Sequence, residues 1–96
     1  MPIFQVSYDL NQPGQNYARL EKAIKASYSW NHVLKSTWLV WTGESYLTLQ
    51  ARLNQAIDKT DRLFLSRVTS ENGGFMNTPV WEWIKSRLQS EEKAAG

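Results

Sequence analysis

The apolar residues of this 96-residue chain follow two different spacings in turn, and this alternation constrains the fold more than any other feature of the sequence. A spacing of two residues is typical of a strand with one buried face, whereas a spacing of three to four residues is typical of an amphipathic helix. Turn-forming residues separate the segments. The segments with strand spacing are 3–10, 33–42 and 63–68, and those with helical spacing are 17–28, 46–57 and 80–88.

The middle segment, 33–42, is long enough for one bent strand or for two short strands that meet near Ser36. With two strands the order becomes βαββαβ, so we predict an α+β fold, a ferredoxin-like sandwich with an appended C-terminal helix. Right-handed crossovers place both main helices on one face of the sheet. The other face is then covered either by the C-terminal helix, which carries Trp81 and Trp83, or by a second subunit.

Length and composition predict one domain. A chain of 96 residues suffices for one hydrophobic core, and 42% hydrophobic with 21% charged residues is typical of a globular protein. We expect residues 1–90 to form the domain. Residues 91–96 are small or charged, so we expect them to form a disordered tail.

Several function classes are excluded by what the sequence lacks. The absence of cysteine excludes disulfides, thiol nucleophiles and thiolate metal sites, and it fits a reducing compartment, so we expect a cytoplasmic protein. His32 is the only histidine, and no serine nucleophile motif accompanies it, which argues against a hydrolase triad. No stretch approaches the roughly 18 apolar residues of a membrane-spanning helix, so we expect no membrane partner.

Basic residues near the predicted strand ends suggest a nucleic-acid partner. The formal charge of +2 is compatible with such a partner without requiring it. Phosphate pairing by cations and stacking on exposed rings are the interactions that would bind it. Alternatively, the nearby tryptophans pack in the core or in an interface, and we favour this for Trp38 and Trp41 because aromatic residues of strands usually pack. The candidate nucleic-acid-binding residues are Arg19, Lys35, Arg62 and Arg67.

Asp9 is the carboxylate with the most informative position, because it ends the first predicted strand just before a loop. An oxygen ligand at such a point suits a hard cation such as Mg²⁺. One carboxylate rarely holds the ion, but a twofold dimer would bring a second copy of Asp9 beside the first. In the alternative interpretation, Asp9 accepts backbone N–H bonds from the turn at 11–14.

Two stretches, Val6-Ser7-Tyr8-Asp9-Leu10 and Val33-Leu34-Lys35-Ser36-Thr37-Trp38, resemble the small ferredoxin-fold subunit of CRISPR systems, the "Cas-two" family. The resemblance covers residues 3–69 and is closer to the SinR-like small proteins of phages and bacteria, and more distant to the VapD toxin ribonucleases. The motifs shared with the SinR-like proteins are Tyr8-Asp9-Leu10-Asn11, Pro13-Gly14, Ser36-Thr37-Trp38-Leu39-Val40 and Ile57-Asp58-Lys59.

This resemblance implies a homodimer with Asp9 near the twofold axis. It further implies that Asp9 is a Mg²⁺ ligand and a catalytic residue, and that Ser36 is a second catalytic residue. The implied function is a small dimeric protein acting on nucleic acid, either a Mg²⁺-dependent endonuclease for RNA or DNA or a non-catalytic nucleic-acid scaffold. A protein-interaction module of phage accessory or toxin–antitoxin type is the alternative. The arginine cluster that follows the aspartate in the CRISPR subunit is absent, because residues 11–16 are uncharged.

Overall fold

The helices and strands follow the predicted order in a computed structural model, which describes residues 1–11 and 13–95. The middle segment forms two strands joined by the turn Lys35-Ser36, so the two-strand alternative is confirmed. The result is a small α+β domain compatible with a ferredoxin-like fold. Its elements are β1 (Ile3–Asp9), α1 (Pro13–Lys25), β2 (Ser29–Leu34), β3 (Thr37–Trp41), α2 (Tyr46–Asn54), β4 (Arg62–Val68) and α3 (Thr78–Ala95).

The four strands form one antiparallel sheet in the order β2-β3-β1-β4. In the centre, Ile3 of β1 lies opposite Trp41 of β3 on one side and opposite Val68 of β4 on the other. Strands β2 and β4 form the edges, and the register of β2 shifts between His32 and Leu34. Because all neighbouring strands are antiparallel, the end of β1 lies beside the beginnings of β3 and β4.

Helices α1 and α2 cover one face of the sheet, and we call the apolar cluster there the helix-side core. The two helices are joined by Arg52 of α2, which donates hydrogen bonds to both carboxylate oxygens of Glu44, at 2.9 and 3.1 Å, and to the carbonyl of Ala23 in α1. The buried members of the cluster are Phe4, Val6, Tyr8, Leu10, Leu20, Ile24, Trp38, Val40, Leu49, Leu53 and Ala56.

Helix α3 folds back on the other face, so this chain covers part of that face itself. We call the cluster there the α3-side core. It closes the half of the face near the beginning of β1, where Ile3 is fully buried. Further along the same face of β1 the residues are polar. The buried members of the α3-side core are Ile3, Leu39, Val68 and Ile84, with Val33, Trp41, Val80, Trp81, Trp83 and Leu88 packed against them.

Several boundaries differ from the predictions. Helix α1 ends at Lys25 rather than at Tyr28, and β2 begins at Ser29 rather than at Val33. Helix α1 begins at Pro13, inside the segment predicted as a turn, because proline suits a first helical turn, where its missing N–H has no partner to lose. Helix α3 continues to Ala95, so residues 91–95 are helical rather than disordered, and Glu91 forms an ion pair with Arg67 of β4. Gly96 lies outside the described residues. None of the described helices is both long enough and apolar enough to cross a membrane.

Candidate nucleic-acid interface

One end of the sheet brings together four of the residues singled out in the sequence. Asp9, the last residue of β1, lies opposite Arg62, the first residue of β4, and both are exposed. The carbonyl of Ser36 accepts a hydrogen bond of 3.1 Å from the backbone N–H of Tyr8, which places the Lys35-Ser36 turn beside the end of β1. We call this region the carboxylate end: Asp9, Lys35, Ser36 and Arg62.

Next to the carboxylate end, a row of polar side chains crosses three strands on the face that α3 leaves uncovered. The hydroxyls of Ser7 and Thr37 share a hydrogen bond of 3.0 Å, and Gln5 donates to Ser7 Oγ at 3.0 Å. Ser66 of β4 in turn donates to Gln5 Oε1 at 3.3 Å. Phe64 lies on the same face of β4 as Ser66, opposite Ser7, and it is 63% exposed. We call these five residues the open half-face.

The sequence contained a signal for this row that we did not use. Gln5 and Ser7 occupy the alternate positions of β1 that, at Ile3, face the α3-side core. When the residues on one face of a strand change from apolar to polar along the strand, the element that covers this face is expected to end partway along it. The sheet register then decides which side chains of β3 and β4 complete the row.

The oxygen ligands at the carboxylate end do not fit a Mg²⁺ site within one protomer. Mg²⁺ requires near-octahedral oxygen coordination, usually with one or two carboxylates. Over residues 1–11 and 13–95, no group of three or more histidine, aspartate or glutamate side chains is placed to hold a metal ion. Asp9 is paired in register with Arg62, whose guanidinium donates to the backbone carbonyls of Lys59 and Asp61. Asp9 therefore needs further ligands to hold a metal ion, and a second copy of the chain would supply a second carboxylate.

The sequence analysis considered that Asp9 accepts backbone N–H bonds from the turn that follows β1. At Asn11 this role belongs to Asp61, which the sequence analysis missed. Asp61 is only 5% exposed, and its two carboxylate oxygens accept the backbone N–H groups of Asn11 at 2.8 Å and of Asp58 at 2.9 Å. It joins the loop before β4 to the end of β1. No local pattern reveals this contact, because Asp61 and Asn11 are 50 residues apart in sequence.

Two of the predicted nucleic-acid-binding arginines lie away from the carboxylate end or are paired. Arg67 is five residues further along β4 than Arg62, about 17 Å at the usual rise of a strand, and it pairs with Glu91. Arg19 of α1 forms an exposed ion pair of 3.5 Å with Asp58. The structure therefore brings Lys35 and Arg62 together with Asp9, but it does not bring Arg67 to them.

The tryptophans divide between core and surface. Trp38 is 1% exposed and donates from Nε1 to the Tyr8 hydroxyl at 3.1 Å, which confirms its interpretation as a core residue. Burial raises the pKa of Tyr8, although the hydrogen bond from Trp38 opposes this rise. Trp41 is half-buried against α3, whereas Trp30 on the edge strand β2 is 40% exposed. Trp30 is thus the tryptophan of the sheet that is most available for stacking.

The comparisons with known proteins concern the fold alone. No protein-family model and no curated protein matches the chain. Among solved structures, it is similar to a hypothetical protein, TT1823, from Thermus thermophilus, with a TM-score of 0.62 and 21% sequence identity. The similarity covers 79% of this chain and 94% of that one. At this identity it supports the small α+β fold, and the function has to be argued from the site.

Proposed function

We propose that this protein is a ferredoxin-like βαββαβ domain with an appended helix that binds nucleic acid as a homodimer through its carboxylate end and open half-face. The observation that carries the proposal is that α3 covers only half of its face, beside which lie two exposed cations, Lys35 and Arg62. Phe64 adds an exposed ring between them and the polar row. A nucleic acid is bound by three kinds of group: cations that contact phosphates, polar groups that contact bases and sugars, and rings that stack on bases.

Each protomer of the proposed homodimer carries a complete binding surface, whereas cleavage requires both protomers. One carboxylate rarely holds Mg²⁺ by itself, so we propose a Mg²⁺-dependent endonuclease only with a twofold axis that places two Asp9 carboxylates side by side. Ser36, the second predicted catalytic residue, uses its carbonyl to hold the end of β1. In a reaction Ser36 would therefore act by holding the end of β1 in place.

A protein-interaction module is the second candidate, and Phe75 is the observation that favours it. This residue is fully exposed in the segment between β4 and α3, where it packs against nothing. A bare aromatic ring of this kind is a typical anchor for a protein partner. The affinity for a protein partner bound through Phe75 would be insensitive to the salt concentration. The affinity for a nucleic acid, by contrast, falls steeply as the salt concentration rises.

The first test is binding of labelled single-stranded RNA, single-stranded DNA and duplex DNA by fluorescence anisotropy over a salt series. We expect Arg62→Ala and Lys35→Ala each to weaken binding and to lower the salt slope by about one unit, because each removes one phosphate contact. Lys85→Ala, an equally exposed cation on α3, is the matched control and should change neither. Equal effects of all three substitutions would contradict a site at the carboxylate end.

The second test concerns cleavage. Wild type and Asp9→Asn are incubated with the same nucleic acids in Mg²⁺, Mn²⁺ or EDTA, and the mass of each protein in solution is measured by light scattering. Metal-dependent cleavage by a wild-type dimer that Asp9→Asn abolishes without changing its mass would support the endonuclease. Binding without cleavage would support the scaffold.

A further inference from the structure

A cluster of aromatic rings on the edge strand β2, bordered by cations, lies next to the site described above and shares Lys35 with it. The ring of His32 stacks on that of Trp38 with centroids 4.0 Å apart and planes 8° from parallel. Trp30 packs against the same Trp38, with centroids 5.4 Å apart. Trp38 is buried, so Trp30 and His32 are the exposed rings of a supported stack.

Lysines border this stack. The ammonium of Lys25, at the end of α1, lies 5.1 Å from the Trp30 ring centre and 5.8 Å from that of Trp38. Lys35 lies in the turn after β2, where its carbonyl is hydrogen-bonded to His32 Nε2 at 3.1 Å. We call Lys25, Trp30, His32 and Lys35 the tryptophan surface.

The charge around the stack favours an anion that also carries flat rings. Lys22 and Lys25 occupy the last turn of α1, and Glu21 is the acidic neighbour on that helix. Two lysines against one glutamate leave an excess of positive charge at this end of α1, and Lys25 brings that charge to the exposed ring of Trp30. Phosphates would draw the flexible Lys25 ammonium away from the ring, which frees the ring for a stacked base.

We infer that the tryptophan surface binds unpaired bases of a single-stranded nucleic acid by stacking on Trp30, with Lys25 and Lys35 on its phosphates. This inference deepens the proposed function, on which it rests, by specifying the strand state of the ligand. Lys35 belongs to both regions, so one strand can run along the edge of the sheet from Trp30 to the carboxylate end. A duplex keeps its bases stacked on one another and offers none to Trp30.

The test measures affinity for a fluorescein-labelled uridine oligonucleotide and for a duplex of the same length. We expect Trp30→Ala to weaken single-strand binding about tenfold, the usual size of one lost base stack, and to leave duplex binding almost unchanged. Trp30→Phe should restore most of the affinity because it keeps a ring. Phe75→Ala, which removes another exposed ring, is the matched control and should have no effect.

A charge reversal provides a variant that does not depend on the packing of Trp30. Lys25→Glu lies at an exposed position, and it should weaken single-strand binding and lower the salt slope. Lys85→Glu makes the same change on α3 and should do neither. Circular dichroism and thermal melting verify that each variant is folded.

Comparison with Arg62→Ala separates this inference from the proposed function. Loss of affinity in Arg62→Ala but not in Trp30→Ala or Lys25→Glu would overturn the inference and leave the proposed function standing. Loss in the latter two variants alone would support the tryptophan surface and overturn a site at the carboxylate end. No binding by the wild type would overturn both, and a dimer that Trp30→Ala converts to a monomer would show that a second copy occupies this surface instead.

Discussion

The two faces of the sheet differ in how completely they are covered. Among the described residues, the helix-side core contains eleven buried side chains, whereas the α3-side core contains four. Helices α1 and α2 each connect two strands, so both of their ends are held against the sheet, while α3 follows the last strand and is tethered to it at one end. Stability is therefore concentrated on the helix side. The uncovered part of the other face is available for binding.

The largest expected effect is on the helix side. Leu53 is fully buried between α2 and the sheet, so Leu53→Ala should lower the free energy of unfolding by about 3 kcal/mol through lost burial and the cavity left behind. Urea denaturation followed by circular dichroism measures this loss. A loss below about 1 kcal/mol would mean that the helix-side core is not the main source of stability.

A smaller effect is expected on the other face. Ile84 is the buried residue that α3 contributes to the α3-side core, and Ile84→Ala should cost about 2 kcal/mol, at the low end for such a substitution, because a thin layer collapses readily around the missing atoms. The same urea experiment applies. A loss equal to that of Leu53→Ala would show that both faces contribute alike and would remove the contrast drawn above.

The ion pair between Arg52 and Glu44 should make the stability of the fold depend on pH. Hydrogen bonds from Arg52, ahead of the opposing effect of burial, lower the pKa of Glu44 below its ordinary value of 4.5. Ionised Glu44 therefore stabilises the fold above pH 4.5, and this contribution is lost as the pH falls through the lower folded-state pKa. Glu44→Gln should cost about 1 kcal/mol at neutral pH, as expected for charge-assisted hydrogen bonds that are partly exposed. Melting curves at several pH values should converge for wild type and variant in acid, and a constant difference would contradict this assignment.

The smallest effect on stability is expected on the open half-face. Phe64 is largely exposed, so Phe64→Ser should change the free energy of unfolding by less than about 0.5 kcal/mol. The affinity of the Phe64→Ser variant for nucleic acid should nevertheless fall if the Phe64 ring of the wild type stacks on a base. A large loss of stability would instead show that Phe64 is covered in solution, as a dimer interface would cover it.

Much of the fold could be predicted because its signals are local. The alternation along Ile3–Asp9 and the helical spacing of Leu20 and Ile24 each reflect neighbours within one element. The turn at Lys35-Ser36 was predicted only as one of two alternatives, since strand-forming residues on both sides of it also fit one bent strand. The helical residues 91–95 were missed because Glu91 is held by Arg67, which belongs to another element.

The candidate site was predicted only in part. Asp9 was recognisable from its place at the end of a strand, and its position beside Arg62 followed from the sheet register. The contact of Asp61 with Asn11, by contrast, gave no local signal, because the two residues are 50 positions apart in sequence. The stack of Trp30 and His32 on Trp38 was also hidden, since it depends on how β2 pairs with β3.

The sequence by itself determined the α+β class, the alternation of helical and extended segments and the two faces of β1, because hydrophobic spacing and turn residues act over a few neighbours. Only the tertiary structure decided that α3 covers half of its own sheet, that Asp61 binds the end of β1 and that Trp30 and His32 share one buried ring. The first two depend on contacts between residues far apart in sequence, and the third depends on the register of the hairpin that β2 and β3 form. Such contacts are set by the pairing of strands and the packing of layers, which no single segment encodes.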